Sequence, residues 1–171
     1  MAPASRGPRD AAMRLARSCY GHLAGRLGVA IADALERRGI VHLDDGVGRV
    51  SGEGRRFLAD LGIDSDALAG AERPLCRTCL DWSERRLHLS GKLGAAILER
   101  TIEFGWLARV PKSRTLRISG AGERGFAETF RCEPVWRGAA PQPLLAIAFA
   151  EPGNDFCNPA EAKPQEALWS G

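Results

Sequence analysis

The sequence predicts an α+β protein built from two tandem copies of one unit: helix, β-hairpin, helix. Three observations carry that expectation. His88-Leu89-Ser90-Gly91-Lys92-Leu93-Gly94-Ala95-Ala96-Ile97 repeats His22-Leu23-Ala24-Gly25-Arg26-Leu27-Gly28-Val29-Ala30-Ile31 at an offset of 66 residues, with soft replacements. The echo continues to Gly39 and Gly105, each followed by a large apolar pair, Ile40-Val41 and Trp106-Leu107. It resumes two residues out of step, with Arg49-Val50-Ser51-Gly52 and Gly54 against Arg117-Ile118-Ser119-Gly120 and Gly122. An internal repeat of this kind marks a duplicated structural unit.

Taken in order, residues 1–12 form a leader, flexible through its Pro/Gly/Arg-rich start. Residues 13–68 make the first repeat. Met13, Ala16, Tyr20, Leu23, Leu27, Ile31 and Leu35 recur three or four apart, the period of a helix running from residue 10 to 38 with Gly39 as its stop. Residues 40–43 and 48–51 read as strands around Asp44-Asp45-Gly46, a hairpin signal. A second helix follows over 53–61. Residues 64–78 read as a linker with at most one helical turn, punctuated by Gly70 and Pro74.

Residues 69–130 make the second repeat. Its helix is predicted from Ser83, a plausible N-cap, to Gly105. A hairpin spans 106–119 around Pro111-Lys112-Ser113-Arg114, and a helix over 123–130 closes the unit. Helix, hairpin, helix are the last three elements of a winged-helix domain, so the expectation is two winged-helix-like repeats. Residues 131–171 are a proline-rich tail, either poorly ordered or laying 144–149 as an edge strand on the body.

Two readings exist for the glycines of the long helices. Ala24 followed by Gly28-Val29, and Ser90 followed by Gly94-Ala95, have the small residue and glycine of a helix-turn-helix turn. The unbroken helical phase favours one continuous helix instead. Gly21, Gly25, Gly28, Gly91 and Gly94 then form a bare strip, costing about 1 kcal/mol each relative to alanine. Such a strip lets the other repeat or a second subunit approach closely.

Composition narrows the function classes. The chain has 171 residues, 44% of them hydrophobic, and a net charge of +3, the positive excess lying before residue 131. No signal peptide is apparent, and the longest apolar run, 143–150, is far short of the ~20 residues needed to cross a bilayer. A cytoplasmic protein without a membrane partner is expected. Its five cysteines, an odd number, argue against a disulfide framework.

Cys76-Arg77-Thr78-Cys79 has metal-ligand spacing. Cys19 and His22 would share a helical face at i, i+3. Cys19, His22, Cys76 and Cys79 together would make a tetrahedral zinc set; buried thiols with no cofactor are the plainer alternative. His22 and His88 hold matched positions, where packing or capping accounts for both. Asp81-Trp82-Ser83-Glu84-Arg85-Arg86 offers a small-molecule cradle or, more simply, helix capping. Arg109, Lys112, Arg114 and Arg117 load the second hairpin with cations suited to DNA phosphates, whereas Asp44 and Asp45 make the first hairpin acidic. No nucleophile–His–carboxylate set, phosphate loop or paired-carboxylate motif stands out, so no enzyme is expected.

Residues 17–28 (RSCYGHLAGRLG) and 73–86 (RPLCRTCLDWSERR) resemble the C-terminal half of bacterial ArsR-type transcriptional regulators, over roughly residues 14–130. In that group an N-terminal winged helix-turn-helix reads DNA and dimerises, and the resembled region follows it. The resemblance implies the effector-sensing and dimerisation part of a homodimeric regulator with a small-molecule effector. On this resemblance DNA is expected to be touched weakly or through that N-terminal domain, which is not expected within residues 1–171. The metal-sensing thiols of the group belong to that domain and do not map onto Cys76 or Cys79.

Overall fold

A computed structural model describes residues 10–69 and 74–137. The chain divides into units 1–140 and 141–171; the second, with the edge strand expected at 144–149, lies outside the described residues. The described chain mixes six α-helices with antiparallel sheets.

Each copy of the duplication has one element more than expected: hairpin, helix, hairpin, helix. After α1 (Ala11–Leu15), the first copy runs β1 (Arg17–Cys19), β2 (His22–Ala24), α2 (Gly25–Arg37), β3 (Val41–Leu43), β4 (Val47–Val50) and α3 (Gly52–Asp60). A short α4 (Ser65–Leu68) follows. The second copy runs β5 (Cys76–Leu80), β6 (Leu87–Ser90), α5 (Gly91–Glu103), β7 (Leu107–Arg109), β8 (Leu116–Ile118) and α6 (Gly120–Glu128). Matched details persist: α2 and α5 both have 13 residues, and Ser51 and Ser119 cap α3 and α6 by accepting from Gly54 N and Gly122 N.

The continuous helix expected over 10–38 is therefore replaced by α1, a hairpin and α2. Tyr20 and Gly21 both take positive φ, 48° and 95°, the signature of a two-residue hairpin turn. Gly25 has φ +82°, so the backbone turns sharply where β2 hands over to α2. Gly91, at φ +72°, does the same between β6 and α5, so the second long helix starts at Gly91 rather than at Ser83. The helix-turn-helix alternative is also corrected, since Gly28 and Gly94 sit in the first turn of α2 and α5. Their bareness serves a local approach. A Cβ at Gly28 would lie 2.7 Å from Leu23 O, and one at Gly94 would lie 2.6 Å from Leu89 O, each in the strand just before the helix. A Cβ at Gly94 would also lie 3.2 Å from His22 Cβ of the other copy.

The copies are interlaced through their hairpins. β3-β4-β5-β6 form one four-stranded antiparallel sheet, so the second hairpin of copy one lies beside the first hairpin of copy two, Gly48 opposite Cys76. On the other side the β7–β8 hairpin reaches the β1–β2 hairpin through an Arg17–Thr115 bridge. There Ser18 N donates to Arg114 O (2.8 Å) and Leu116 N to Ala16 O (3.0 Å). The helices cross over too: α2 packs on β6 and α5 on β2. Leu23, Gly28 and Ile31 meet their own duplicates Leu89, Gly94 and Ile97 at one small void in the seam. Burying each such Leu or Ile stabilises by about 1.5–3 kcal/mol, so the seam between copies is the core.

The tail is expected from residue 131. Cys132 and Trp136 are buried, and the Trp136 ring stands edge-on to Phe126 at 6.3 Å, so residues 131–137 belong to the folded body. The strand β5 likewise occupies part of the expected linker over 64–78.

A side chain at Gly25 faces two penalties: positive φ and an alanine Cβ 2.7 Å from Arg14 O. Gly25→Ala is expected to cost at least about 1–3 kcal/mol. Gly39→Ala has the positive φ but no atom within 4 Å and should cost about 1 kcal/mol. Denaturant midpoints of the two variants check the difference.

Candidate metal centre

The two-residue turn at Tyr20-Gly21 sets Cys19 directly opposite His22 across the β1–β2 ladder. In the second copy the loop between strands is longer, yet the ladder again sets Cys79 directly opposite His88. Residues opposed in an antiparallel ladder share one face, so each hairpin presents one thiol and one imidazole together. Interlacing then turns the two faces toward each other. The ligand atoms of Cys19, His22, Cys79 and His88 all lie within 4.8 Å of one another. The His22 and His88 rings are 5.0 Å apart between centroids, with Nε2 to Nε2 at 3.0 Å. Both imidazoles are buried and both thiols half-buried.

Three of the four expected ligands thus converge, and Cys76 does not. Cys76 and Cys79 are three apart on a strand, where side chains alternate, so they point to opposite faces. Cys76 is buried against Gly48, with its thiol pushed up to about 11 by burial. His88 takes its place. The duplication brings the Nε2 atoms of the matched histidines, His22 and His88, to 3.0 Å from each other. That symmetry was the available signal for the fourth position: Cys19 pairs with Cys79, and His22 with His88.

Behind His88 stands Asp81, fully buried. Its Oδ2 accepts from Arg17 Nη2 and from Gly25 N, both at 2.8 Å, and lies 3.8 Å from His88 Nδ1. Its Oδ1 accepts from Ser83 Oγ (2.7 Å), Ser83 N (2.9 Å) and Glu84 N (3.2 Å). Burial by itself would raise the Asp81 carboxyl. The Gly25 N–H, the Ser83 hydroxyl and the Arg17 guanidinium overcome that and hold it well below the usual carboxylate range. The stretch 81–86 is thus a self-capped loop: Trp82 is exposed, and its carboxylate is spent on the fold.

Burial disfavours the charged form of both histidines. Burial lowers His22, and burial together with the neighbouring His22 lowers His88 to about 4. Cys79 is pushed up to about 11 by burial and by the adjacent Cys19. Two imidazoles and two close thiols are the donor set of a soft or borderline divalent cation.

The four expected DNA contacts all fall on the β7–β8 hairpin and are exposed, but they do not share a face. Arg109 lies opposite Leu116 on the inward-facing side and is ion-paired to Glu99 of α5. Arg117 lies opposite Ala108 on the outer side. Lys112 and Arg114 occupy the turn between the strands.

Two outcomes follow from the buried groups. Asp81→Ala leaves Arg17 buried without its partner and is expected to destabilise by about 3–5 kcal/mol. Glu84→Ala, which removes a 3.8 Å pair with a partly exposed Arg26, should cost at most about 1 kcal/mol. Because the folded-state pKa of His88 lies below its unfolded value, the unfolded chain binds the extra proton between pH 6.5 and about 4. Stability of metal-free protein is therefore full above pH 6.5 and falls as pH drops through that window. Chemical denaturation at stepped pH should show the fall, and His88→Gln should flatten it.

No family model matches the chain, and no solved structure matches it. The chain is similar to an uncharacterized HTH-type transcriptional regulator, YdfF, of Bacillus subtilis (strain 168), at 41% identity over 114 residues. The match takes in 67% of this chain and 50% of the relative, so the chain spans about half the length of the curated relative it matches. Over two thirds of its length, then, the chain is similar to half of a protein named as a helix-turn-helix transcriptional regulator.

Proposed function

We propose that the chain serves a transcriptional regulator of ArsR-like winged-helix type, as the part that senses an effector and joins subunits rather than the part that reads bases. The observation that carries this reading is the 41% identity to half of an HTH-type regulator. Each copy contains a helix, hairpin and helix in winged-helix order, α2-β3-β4-α3 and α5-β7-β8-α6. In a winged helix the helix before the hairpin is the one that reaches the major groove. Here α2 and α5 are instead buried in each other's copies, and the exposed acids of α5 are Glu99 and Glu103. Neither helix suits a polyanion. In this reading base-specific contacts come from the half of such a regulator that lies outside the match, and the homodimer and small-molecule effector belong to the complete regulator.

Weak DNA contact falls to the second hairpin. With Arg109 held by Glu99, Lys112, Arg114 and Arg117 remain for phosphates. A second reading, a metal-binding module that never meets DNA, is favoured by the Cys/His cluster. No helix among the described residues is long and apolar enough to cross a membrane, which agrees with both.

The two are separated by titrating duplex DNA with the chain at several salt concentrations. The regulator reading expects weak binding without sequence preference and a log–log salt slope no steeper than about −3, from roughly −0.9 for each of three contacts. Arg117→Ala should reduce the slope by about one, and Arg109→Ala should leave it nearly unchanged. Absence of any retention at low salt supports the module. Tight, sequence-selective binding by the chain alone overturns the assignment of base reading to another segment.

A further inference from the structure

We propose that Cys19, His22, Cys79 and His88 bind one zinc-class divalent cation in a closed tetrahedral site that fastens the two copies of the duplication together. The inference stands apart from the regulator reading, because it concerns how the two halves are held and not what the chain binds outside itself.

Four observations converge on it. The first is chemical: two thiolates and two imidazoles form a Cys2His2 set, characteristic of structural zinc. Zn–N distances of about 2.0–2.1 Å and Zn–S of about 2.3 Å put tetrahedral ligand atoms about 3.3–3.8 Å apart. The observed cluster, within 4.8 Å overall and 3.0 Å between the two Nε2 atoms, reaches that geometry with small side-chain adjustments.

The second is the pairing of the imidazoles. Their Nε2 atoms face each other at 3.0 Å. Among the described residues the fully buried His88 Nδ1 has no hydrogen-bond partner, and a carboxylate oxygen of Asp81 lies 3.8 Å away. A cation on Nε2 makes Nδ1–H the required tautomer and draws that proton toward Asp81. The result is the carboxylate–histidine–metal relay that orients such ligands. Asp81 would act there as a positioning residue, fixed by Arg17, Gly25 and Ser83.

The third is position. Each hairpin contributes one Cys and one His from directly opposed ladder positions, and Gly94 of α5 leaves room for His22, whose Cβ lies 3.2 Å from where a glycine Cβ would stand. The fourth is charge: the Cys19 and Cys79 sulfurs stand close enough to share one ion. A divalent cation between them cancels two thiolate charges and leaves the site neutral. Binding releases two protons, one from each thiol, so affinity rises with pH. All four positions are filled by protein, leaving no open site for a substrate water. The role is structural.

The test uses the full chain purified without an affinity metal column. Elemental analysis is expected to give about one zinc per chain. Replacement by cobalt(II) should give thiolate-to-cobalt charge-transfer absorption and the visible bands of a tetrahedral ion. Cys79→Ser and His88→Gln should abolish both signatures. Cys76→Ala, which alters a core thiol outside the cluster, should keep them. A strong chelator should lower the melting temperature of wild type and leave folded His88→Gln unmoved. Asp81→Asn should keep cobalt bound with a measurably weaker affinity. A folded wild-type chain that carries no metal and gives no cobalt spectrum overturns the site, whatever its variants do. Loss of the cobalt spectrum in Cys76→Ala, with the spectrum kept in His88→Gln, overturns this ligand set.

Discussion

A single carboxylate ties the molecule together. Asp81 lies in a loop of the second copy, yet its Oδ2 bonds Arg17 and the backbone of Gly25, both in the first. Through Arg17, which also reaches Met13 O and Ser83 Oγ, it fixes α1. Through Gly25 N it fills an orphan donor at the start of α2, where Ala24 offers no side-chain cap. Taking the Arg17–Asp81 pair out of water is expensive, and the Coulomb attraction alone would not offset it. Further hydrogen bonds make the difference. The ion pair therefore does little for net stability by itself. It joins the two copies beside the cluster where Cys19 and Cys79 come together.

Around that anchor the duplication organises the rest. Neither copy is a separate core: α2 covers β6, α5 covers β2, and the apolar seam is built from matched residues such as Leu23 with Leu89 and Ile31 with Ile97. Each copy also lends its second hairpin to the other's first. The electrostatic layout follows the same division. The seam is neutral and buried, while cations stand at the tip of one outer hairpin and acids at the tip of the other.

The outer hairpins and the helices after them were legible in the sequence. Asp44-Asp45-Gly46 and Pro111-Lys112-Ser113-Arg114 are local signals, and nothing in the tertiary structure opposes them. The region before Gly25 was not legible from periodicity. Tyr20 and Leu23 fall by coincidence on the helical phase of α2, although they sit in a turn and a strand. The decisive evidence, a left-handed Tyr20 followed by Gly21, is a backbone property that tyrosine does not advertise. The two expected ligand pairs fared differently. On a helix, Cys19 and His22 share a face through i, i+3 spacing; on a hairpin they share it through cross-strand pairing, so that pair survived a wrong secondary structure. Cys76 and Cys79 had no such luck, because strand alternation separates them. The duplication held the answer. Arg77-Thr78-Cys79 echoes Arg17-Ser18-Cys19 at an offset of 60, six residues short of the helical offset, and the loop at 81–86 accounts for the difference.

The interlaced hairpins bear on how the chain can come apart. Ladder bonds such as Gly48 with Cys76 and Arg17 with Thr115 join residues far apart in sequence, so the first copy emerging during synthesis cannot complete its own sheet. It must wait for its duplicate, with the apolar faces of α2 and β2 uncovered meanwhile. Two halves that each complete the other through like surfaces have the layout of a symmetric pair of subunits written as one continuous chain. The linker between them replaces a concentration-dependent encounter with an intramolecular one. In such a chain like residues from the two copies can meet at the seam, as His22 and His88 do with their Nε2 atoms 3.0 Å apart.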